Sequence, residues 1–329
     1  MPHTSTSAQP THRFAVIGGD GRMRHLAERL AEEDYPVSLL GCGDECLPAR
    51  DPRNRLRICA RMCATLQKAA EGATAIVLPL PATRDGERVF CPRDPACTVT
   101  FTEIAELLRK NPTVILFGGK LPPALTEAYP HRAVDYYENP VLQLRNAYVT
   151  AEAALMTAME LTDRTLRDTP VAVLGYGRIG KYLSRLLCAL GAEVTVCARR
   201  EESLFEAASE GCHPLLIAED SPNRGLTPLC KGHAVLFNTI PTPLLSREAL
   251  CAMEPNTLFI DLASAPFGVL DEDVREATAQ NGLRYLRAPS LPGSYAPRDA
   301  GRIIAECVLE ALSHAPLTSD HSEKGGHDL

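Results

Sequence analysis

In Val171-Ala-Val-Leu-Gly175-Tyr-Gly177-Arg-Ile-Gly180, a short apolar run leads directly into three glycines spaced as GxGxxG, and this is the strongest indication of the fold. The residues that follow carry an apolar stripe at helical spacing, formed by Ile179, Leu183, Leu186, Leu187 and Leu190. A second apolar run, Val194–Cys197, comes next. A lone GxGxxG is weak evidence, but strand, glycines, helix and strand in this order indicate a dinucleotide-binding βαβ unit.

Each part of this loop has a predicted role in holding a pyrophosphate. Gly175 permits the tight turn, Gly177 lets the backbone approach the phosphates, and Gly180 allows the helix to pack closely on the strand. The amides of Arg178 and Ile179 then point at the phosphates from the N-terminus of the helix. The alternative is a glycine-rich turn in a sheet that binds nothing.

The end of the second strand decides between the two nicotinamide dinucleotides. NAD-binding chains carry an acid about 20 residues after the glycines, where it holds the ribose hydroxyls. Here that place is taken by Ala198, with Arg199 and Arg200 next. A guanidinium can bind a 2′-phosphate through two hydrogen bonds, so NADP is predicted and NAD is less favoured. The alternative is that the two arginines only begin the next helix, beside Glu201 and Glu202.

The pattern along the rest of the chain predicts an α/β protein with two doubly wound, parallel-sheet, Rossmann-like domains and a cleft between them. A first group of buried strands is expected at Phe14–Ile17, Val37–Leu40, Ala75–Leu78, Val114–Phe117 and Ala133–Tyr136. A second group is expected at Val171–Leu174, Val194–Cys197, Val235–Phe237 and Leu258–Asp261. Helical patterns separate the strands of both groups.

A long helix-forming stretch after residue 146 marks the expected join between the domains. A Pro/Gly-rich loop, Ala288–Pro297, later separates the second sheet from a final helix at 297–313, which we expect to return to the first domain and complete it. The predicted units are an N-terminal substrate-side domain at 12–146, an NADP-binding domain at 147–292, and flexible polar tails at 1–11 and 314–329.

The first strand leads into a similar but incomplete loop, Gly18–Arg24. Gly19 and Gly21 match the first two glycines of the motif, but Arg24 stands where the third should be and would prevent close helix packing. A second dinucleotide site is therefore not expected. An anion site at this helix start remains open, with three side chains near it, those of Asp20, Arg22 and Arg24.

The composition limits the class of protein. The chain has 329 residues, of which 45% are hydrophobic and 23% charged, and this excludes a disordered chain. No apolar run approaches the ~18 residues of a membrane span. The net charge of −7 counts against a general nucleic-acid or membrane-surface binder. The first residues lack the pattern of a secretory signal, so a cytoplasmic location is expected.

The chain contains 12 cysteines, and in a reducing compartment we expect no disulfide framework. The pairs Cys42-x3-Cys46 and Cys59-x3-Cys63 make a four-thiolate zinc site conceivable by spacing. Structural zinc favours tighter spacings, and Cys59 and Cys63 lie four apart on a predicted helix, where buried thiols are ordinary. The prediction is that no metal is bound.

Five motifs run through the chain in order: Val16-Ile-Gly-Gly-Asp20-x-Arg22, the Gly175–Gly180 loop with Ala198-Arg199, Asn238-Thr-Ile-Pro241, Asp261-Leu-Ala-Ser264 and Ala288-Pro-x-Leu-Pro-Gly293-x-x-Ala-Pro297. Together they resemble the family of the dipicolinate synthase A subunit. The resemblance spans about residues 14–312, and the chain departs from the family in the segments 42–63 and 84–97.

The resemblance implies the oxidation of dihydrodipicolinate, from the lysine pathway, to dipicolinate (pyridine-2,6-dicarboxylate) during bacterial sporulation, with NADP as the hydride acceptor. It also implies a small dicarboxylate substrate, a partner in the flavoprotein-like B subunit of dipicolinate synthase and a location in the mother-cell cytoplasm, and it leaves a homo-oligomer open. The same architecture occurs in formate/glycerate and adenosylhomocysteine dehydrogenase-like folds.

Two predicted strands of the second domain end at motifs that would open onto the cofactor crevice. Asn238, Thr239 and Pro241 are therefore expected to contact the cofactor. Ser264, after the next strand, could hydrogen-bond the cofactor or a substrate carboxylate. The alternative for these hydroxyls is turn capping, and Asp261 could equally be a strand-end cap.

A dicarboxylate needs cations and amides on the opposite wall of the cleft, and the expected substrate-binding residues are Gly19, Arg22, Ser264, Gly293 and Arg298. We expect Arg22 to grip one carboxylate through two hydrogen bonds and Asp20 to orient Arg22. Asp20, Arg22 and Ser264 are the catalytic candidates, and the spacing of the sequence identifies no proton acceptor.

Two other functions are compatible with the sequence. One is a different NADP-dependent, two-domain dehydrogenase of the hydroxy-acid type, although the catalytic Arg/Glu/His set of such enzymes is not recognisable here. The other is a non-catalytic, NADP-binding regulatory subunit, which would need no catalytic residues.

Overall fold

The computed structural model describes residues 12–43, 60–218 and 222–314, and two parallel sheets of six strands each organise this part of the chain. The first sheet contains β1 (Phe14–Ile17), β2 (Val37–Leu40), β3 (Ala60–Met62), β4 (Ala75–Val77), β5 (Ile115–Gly118) and β6 (Ala133–Asp135). The second contains β7 (Pro170–Leu174), β8 (Glu193–Ala198), β9 (His213–Leu216), β10 (Val235–Asn238), β11 (Leu258–Asp261) and β12 (Arg284–Arg287).

The strand orders are β3-β2-β1-β4-β5-β6 and β12-β11-β10-β7-β8-β9, and every pairing is parallel. Each order reverses direction beside the first strand of its sheet, at β1/β4 and at β7/β10. Such a reversal opens a crevice at the carboxyl ends of the strands, where α/β proteins bind ligands. The predicted fold of two doubly wound, Rossmann-like domains is confirmed.

Helices cover both faces of the sheets. They are α1 (Gly21–Glu32), α2 (Leu66–Ala70), α3 (Phe101–Lys110), α4 (Pro123–Ala128), α5 (Pro140–Leu161), α6 (Arg178–Ala189), α7 (Glu201–Ser209), α8 (Arg247–Cys251), α9 (Asp271–Asn281), α10 (Leu291–Tyr295) and α11 (Pro297–His314). Short 3-10 turns occupy Tyr136–Glu138, Pro222–Gly225 and Thr227–Cys230. Among the described residues, no helix combines the length and apolar character needed to cross a membrane.

Three strands were not expected from the sequence, namely β3, β9 and β12. All three lie at a sheet edge and are only partly buried, so they lack the continuous apolar run that marks an inner strand. The helix expected around Cys59 and Cys63 is wrong: residues 60–62 form β3, and Cys63 follows it, while Cys46 and Cys59 lie outside the described residues.

The ends of two other expected segments also differ. The predicted strand Ala133–Tyr136 stops at Asp135, because the carboxylate of Asp135 accepts a hydrogen bond from the amide of Tyr137 and begins a 3-10 turn. The expected loop Ala288–Pro297 contains the short helix α10.

The last helix, α11, packs along α1 on the first sheet. The contact is close because Gly301 has no side chain: a Cβ there would lie 2.3 Å from the carbonyl oxygen of Arg22. Apolar side chains of α11 share a core with β1 and α1, among them Ile303, Ile304, Val308, Phe14 and Leu26. The helix therefore belongs to the core of the first sheet, and α5 and α10 connect the two halves of the molecule.

Candidate functional site

Close contacts require two of the three glycines of the β7–α6 loop, Gly175 and Gly180. Gly175 has a φ of +100°, and a Cβ on it would lie 2.3 Å from Oγ1 of Thr239. A Cβ on Gly180 would lie 2.0 Å from the carbonyl oxygen of Gly175, so α6 can approach β7 only because this residue is glycine. Gly177, by contrast, faces open space, since a Cβ added to it would meet nothing within 4 Å. The loop therefore leaves room for a ligand at Gly177.

This open space continues into a groove of about 610 Å³ along the carboxyl edge of the second sheet. The residues that line it include the glycine loop, the end of β8 and the loop after β10: Gly175, Tyr176, Gly177, Ala198, Arg199, Arg200, Ser203, Ile217, Thr239, Ile240 and Pro241. The first amides of α6, at Arg178 and Ile179, have no partner one turn earlier in the helix. A helix start with spare amides and open space beside it fits the pyrophosphate of a dinucleotide.

Arg199 and Arg200 are both exposed and both line this groove. Ala198 is the last residue of β8, and Arg200 is the residue that precedes α7, whose first turn carries Glu201 and Glu202. The arginines thus begin a helix and also face the groove. The two guanidinium groups therefore add positive charge to the groove at this strand end.

Asn238 lies under the groove rather than in it. Its amide nitrogen donates to the carbonyl oxygen of Ile240 at 2.9 Å and to Oδ1 of Asp261 at 2.8 Å, and the side chain is fully buried. Both amide hydrogens are therefore used inside the fold. In place of the expected cofactor contact, the structure gives Asn238 the role of fixing the loop that carries Thr239 and Pro241.

Asp261 is the centre of the same buried network. Its Oδ1 also accepts a bond from the amide of Ala263 at 3.1 Å, and its Oδ2 accepts from the amide of Gly268 at 2.9 Å and from the hydroxyl of Tyr285 at 3.0 Å. Four hydrogen bonds thus satisfy the two oxygens of this buried side chain. Asp261 thus shapes the segment that presents Ser264, which is exposed.

Arg22 and Asp20 form an ion pair at the start of α1. Nε and Nη2 of Arg22 donate to the two oxygens of Asp20, each at 2.8 Å, and Nη2 also donates to the carbonyl oxygen of Leu80. Arg22 is 4% exposed and Asp20 22%. Burial raises the pKa of Asp20, but the hydrogen bonds and charge of Arg22 outweigh it and hold that pKa below its ordinary value.

This pairing changes the expected role of Arg22. The sequence predicted that Arg22 grips a substrate carboxylate through two hydrogen bonds and that Asp20 orients it. Asp20 does hold the guanidinium, and it does so by occupying the bidentate edge that the substrate was expected to use. Arg22 still lines the cleft between the domains, as a buried positive charge.

The other expected substrate residues occupy different surroundings. The amide of Gly19 donates to the carbonyl oxygen of Phe90 at 2.7 Å, so it is used within the fold. Gly293, in α10, lies against the ion pair, where a Cβ would be 2.5 Å from Oδ2 of Asp20. Arg298 is exposed in the first turn of α11 and is not among the residues that line the cleft. Only Arg22 and Ser264 of this set reach the cleft.

The cleft has a volume of about 470 Å³ and lies where the carboxyl ends of both sheets face each other. Its walls are formed by Arg22, Leu80, Pro81, Arg84, Lys120, Tyr137, Asn146, Thr150, Ile179, Leu262, Ser264, Ala265, Phe267, Ala288, Pro289, Ser290 and Pro292. Three of these described lining residues are cations and none is a carboxylate. The positive lining makes the cleft a site for an anion.

The sequence did not single out Arg84, Lys120 or Tyr137. They follow β4, β5 and β6, respectively, and the order of the first sheet brings the three strand ends together. The guanidinium carbon of Arg84 lies 4.2 Å from the centre of the Phe90 ring, and the ammonium nitrogen of Lys120 lies 5.3 Å from the centre of the Tyr137 ring. No local spacing connects these residues, so only the fold reveals the set.

A small passage of about 160 Å³ connects the groove with the cleft. Gly177 and Thr239 line both the passage and the groove, whereas Tyr137, Asn146 and Ile179 line both the passage and the cleft. An extended ligand bound at the glycine loop could therefore reach the cleft with one end. This continuity suits a dinucleotide whose reactive ring must meet a second molecule.

A pair of thiols lies at the carboxyl edge of the first sheet. Cys91 and Cys97 hydrogen-bond to each other and sit against the glycine turns after β1 and β2, near Gly18 and Gly41. The hydrogen bond from Cys91 lowers the pKa of the Cys97 thiol to about 7. Cys42 is buried and donates to backbone carbonyls, including that of Gly18 at 3.3 Å.

Comparisons with known proteins agree on one family. The family model of the N-terminal domain of the dipicolinate synthase A subunit matches residues 13–139. The dipicolinate synthase A subunit of Bacillus subtilis (strain 168) is 30% identical over 315 residues, which cover 92% of this chain and 96% of that protein.

Solved structures show the same likeness. The dipicolinate synthase A subunit from Bacillus halodurans superposes with a TM-score of 0.75 at 29% identity, covering 92% of this chain and 98% of the other. A transhydrogenase from Sinorhizobium meliloti gives a TM-score of 0.60 at 15% identity, over 90% and 91% of the two chains. At that identity the transhydrogenase shows a shared fold and no more.

Proposed function

This chain belongs to the family of the dipicolinate synthase A subunit, and we propose that it oxidises dihydrodipicolinate to dipicolinate with NADP as the hydride acceptor. The observation that carries the proposal is the cleft, which three cations and no carboxylate line in the described part of the chain. The passage from the glycine loop opens into this cleft. A flat dianion can therefore lie beside the reactive ring of a bound dinucleotide.

The chemistry requires few groups from the protein. Dihydrodipicolinate becomes aromatic when one ring carbon loses a hydride and a neighbouring carbon loses a proton, so the oxidation is driven by the stability of the product. The cofactor supplies the hydride acceptor. No carboxylate or imidazole is among the described lining residues, so we assign the proton to water in the open cleft.

The chain's own residues bind and orient the two reactants. The amides of Arg178 and Ile179 and the space at Gly177 hold the pyrophosphate, and Arg199 holds the 2′-phosphate. Ile179, with the apolar side chains of Leu262 and Ala288, lines the part of the cleft nearest to the second sheet. The cations of the first sheet face it and hold the substrate.

The cofactor preference is tested by Arg199→Ala. Loss of an ionic hydrogen bond to the phosphate costs about 1.5–3 kcal/mol, so NADP should bind roughly 10- to 100-fold more weakly. Binding of NAD, which lacks this phosphate, should be nearly unchanged and serves as the internal control. Equal losses for both dinucleotides, measured by calorimetric titration, would show that Arg199 supports the fold only.

The substrate is tested by a panel in which NADPH formation is followed with dihydrodipicolinate and with simple 2-hydroxy acids. We expect turnover with the cyclic dicarboxylate and none with the hydroxy acids. Oxidation of a hydroxy acid would favour the alternative dehydrogenase. Tight NADP binding with no turnover on any member of the panel would favour a regulatory subunit.

The family name also supports a partner and a setting. The relative from Bacillus subtilis is named as the A subunit of its enzyme, so we propose that this chain associates with a flavoprotein-like B subunit in the cytoplasm of the sporulating mother cell. Co-purification of the two proteins after joint expression tests the association, and recovery of this chain alone would contradict it.

A further inference from the structure

Two cations of the cleft, Arg84 and Lys120, differ from Arg22 in what surrounds them. Arg22 is buried and uses its bidentate edge on Asp20. Arg84 and Lys120 are exposed to the cleft, and within the described residues neither forms an ion pair with a carboxylate. Each rests instead on an aromatic ring, that of Phe90 or Tyr137. A cation on a ring keeps its charge available for an anion.

Lys120 is held in place by an unusual backbone arrangement. Its φ is +56°, a conformation that side-chain-bearing residues rarely adopt. Asp135 stabilises this turn: Oδ1 accepts from the amides of Lys120 at 3.0 Å and Tyr137 at 2.9 Å, and Oδ2 accepts from the amide of Leu121 at 2.9 Å. One carboxylate thus fixes both Lys120 and the ring beneath it, and strain that is maintained in this way is common at binding sites.

We propose that Arg84 and Lys120 are the specificity residues of the cleft, each binding one of the two carboxylates of the substrate, and that Asp135 is the positioning residue for Lys120. The inference rests on the proposed function and adds to it the residues that recognise a dicarboxylate. In the part of the chain that the structure describes, these two cations have no acidic partner, and they face a ligand with two negative charges.

The product and its half-analogue test this division. Dipicolinate is symmetric about the axis through its ring nitrogen, and picolinate (pyridine-2-carboxylate) carries only one of its two carboxylates. Picolinate can therefore bind through either cation, in two orientations that leave the ring nitrogen in the same place. The experiment measures the dissociation constants of both acids, with NADP present and trace metals removed, by calorimetric titration of the complete chain.

Arg84→Gln and Lys120→Met should each raise the dissociation constant of dipicolinate about tenfold or more, because each removes one ionic hydrogen bond. Either variant should raise the dissociation constant of picolinate by at most about twofold, because one of the two binding modes of picolinate remains. The variant with both substitutions should bind neither acid. Lys110→Met, which removes an exposed lysine of α3 outside the cleft, is the matched control and should change neither constant.

Asp135→Asn tests the positioning role. A purely structural effect would lower the melting temperature and weaken both acids equally. A positioning effect weakens the binding of dipicolinate more than that of picolinate. If Asp135 acts through Lys120, adding Asp135→Asn to Lys120→Met should weaken dipicolinate binding little further.

The outcomes distinguish the proposed function from the assignment of its residues. If the wild-type protein binds neither acid, the proposed function fails. If it binds dipicolinate more tightly than picolinate but the single variants leave the ratio unchanged, the function stands and the assignment of Arg84 and Lys120 is wrong. A single variant that abolishes picolinate binding would also overturn the assignment.

Discussion

At the scale of single residues, the ion pair of Arg22 and Asp20 shows how a residue can be correctly located by its motif and still have a different role. The position of Arg22 after β1 and near the cleft was predictable from the glycine-rich turn. The burial of its side chain was not, because the carbonyl of Leu80 and Gly293 of α10 approach the ion pair from distant parts of the chain. Long-range contacts of this kind leave no local pattern in a sequence.

Arg22→Ala should therefore act mainly on stability. It would leave the partly buried carboxylate of Asp20 and the carbonyl of Leu80 without their donor, at a cost of about 3 kcal/mol in the free energy of unfolding. Urea unfolding measures this cost. Arg24→Ala, on the same helix but in a half-buried i,i+4 pair with Glu28, is the control and should lose less, about 1 kcal/mol. A stable Arg22 variant would show that the pair is not structural.

Cys97 offers a prediction about pH. Because thiolates are the reactive form, the alkylation rate of Cys97 should rise with pH about a midpoint near its pKa of about 7. Cys91→Ala removes the hydrogen bond that stabilises this thiolate and should move the midpoint to higher pH. Mass-spectrometric measurement of iodoacetamide labelling across pH checks both curves. An unaltered midpoint in the variant would contradict the role given to Cys91.

At the scale of secondary-structure elements, the β7–α6 loop was predictable because its information is contiguous. The strand, the three glycines and the apolar face of the following helix are close together in the sequence. Each glycine has the close contact or the open space that its place in the motif requires. The edge strands β3, β9 and β12 were missed for the opposite reason, since partial burial weakens their apolar pattern.

Two alanine substitutions in this loop should separate folding from binding. Gly177→Ala places a methyl group in open space at an ordinary φ of −84°, so stability should be unchanged while the methyl obstructs the pyrophosphate and weakens dinucleotide binding. Gly180→Ala forces a Cβ against the carbonyl oxygen of Gly175 and should cost about 1–3 kcal/mol of stability. Thermal unfolding and NADP titration of both variants provide the comparison. The interpretation of the loop fails if Gly177→Ala binds NADP as well as the wild type.

At the scale of the whole molecule, the cleft is the feature that the sequence left incomplete. Two domains facing each other were predictable from the repeated alternation of strands and helices. The cations that line the cleft were not, because Arg84 and Lys120 follow two different strands and meet only through the order of the first sheet. Of the substrate residues expected from motifs, the cleft contains Arg22 and Ser264. The other two cations, Arg84 and Lys120, are brought to the cleft by the order of the strands.

The stoichiometry of the reaction shows whether this chain transfers a hydride from dihydrodipicolinate to NADP. Enzymatically generated dihydrodipicolinate is mixed with the complete chain and excess NADP, with and without the B subunit, and the NADPH and dipicolinate formed are quantified in the same sample. We expect one NADPH for each dipicolinate, at a rate that Gly177→Ala lowers. Dipicolinate formed without NADPH, or at a rate that neither NADP nor this chain changes, would contradict this expectation.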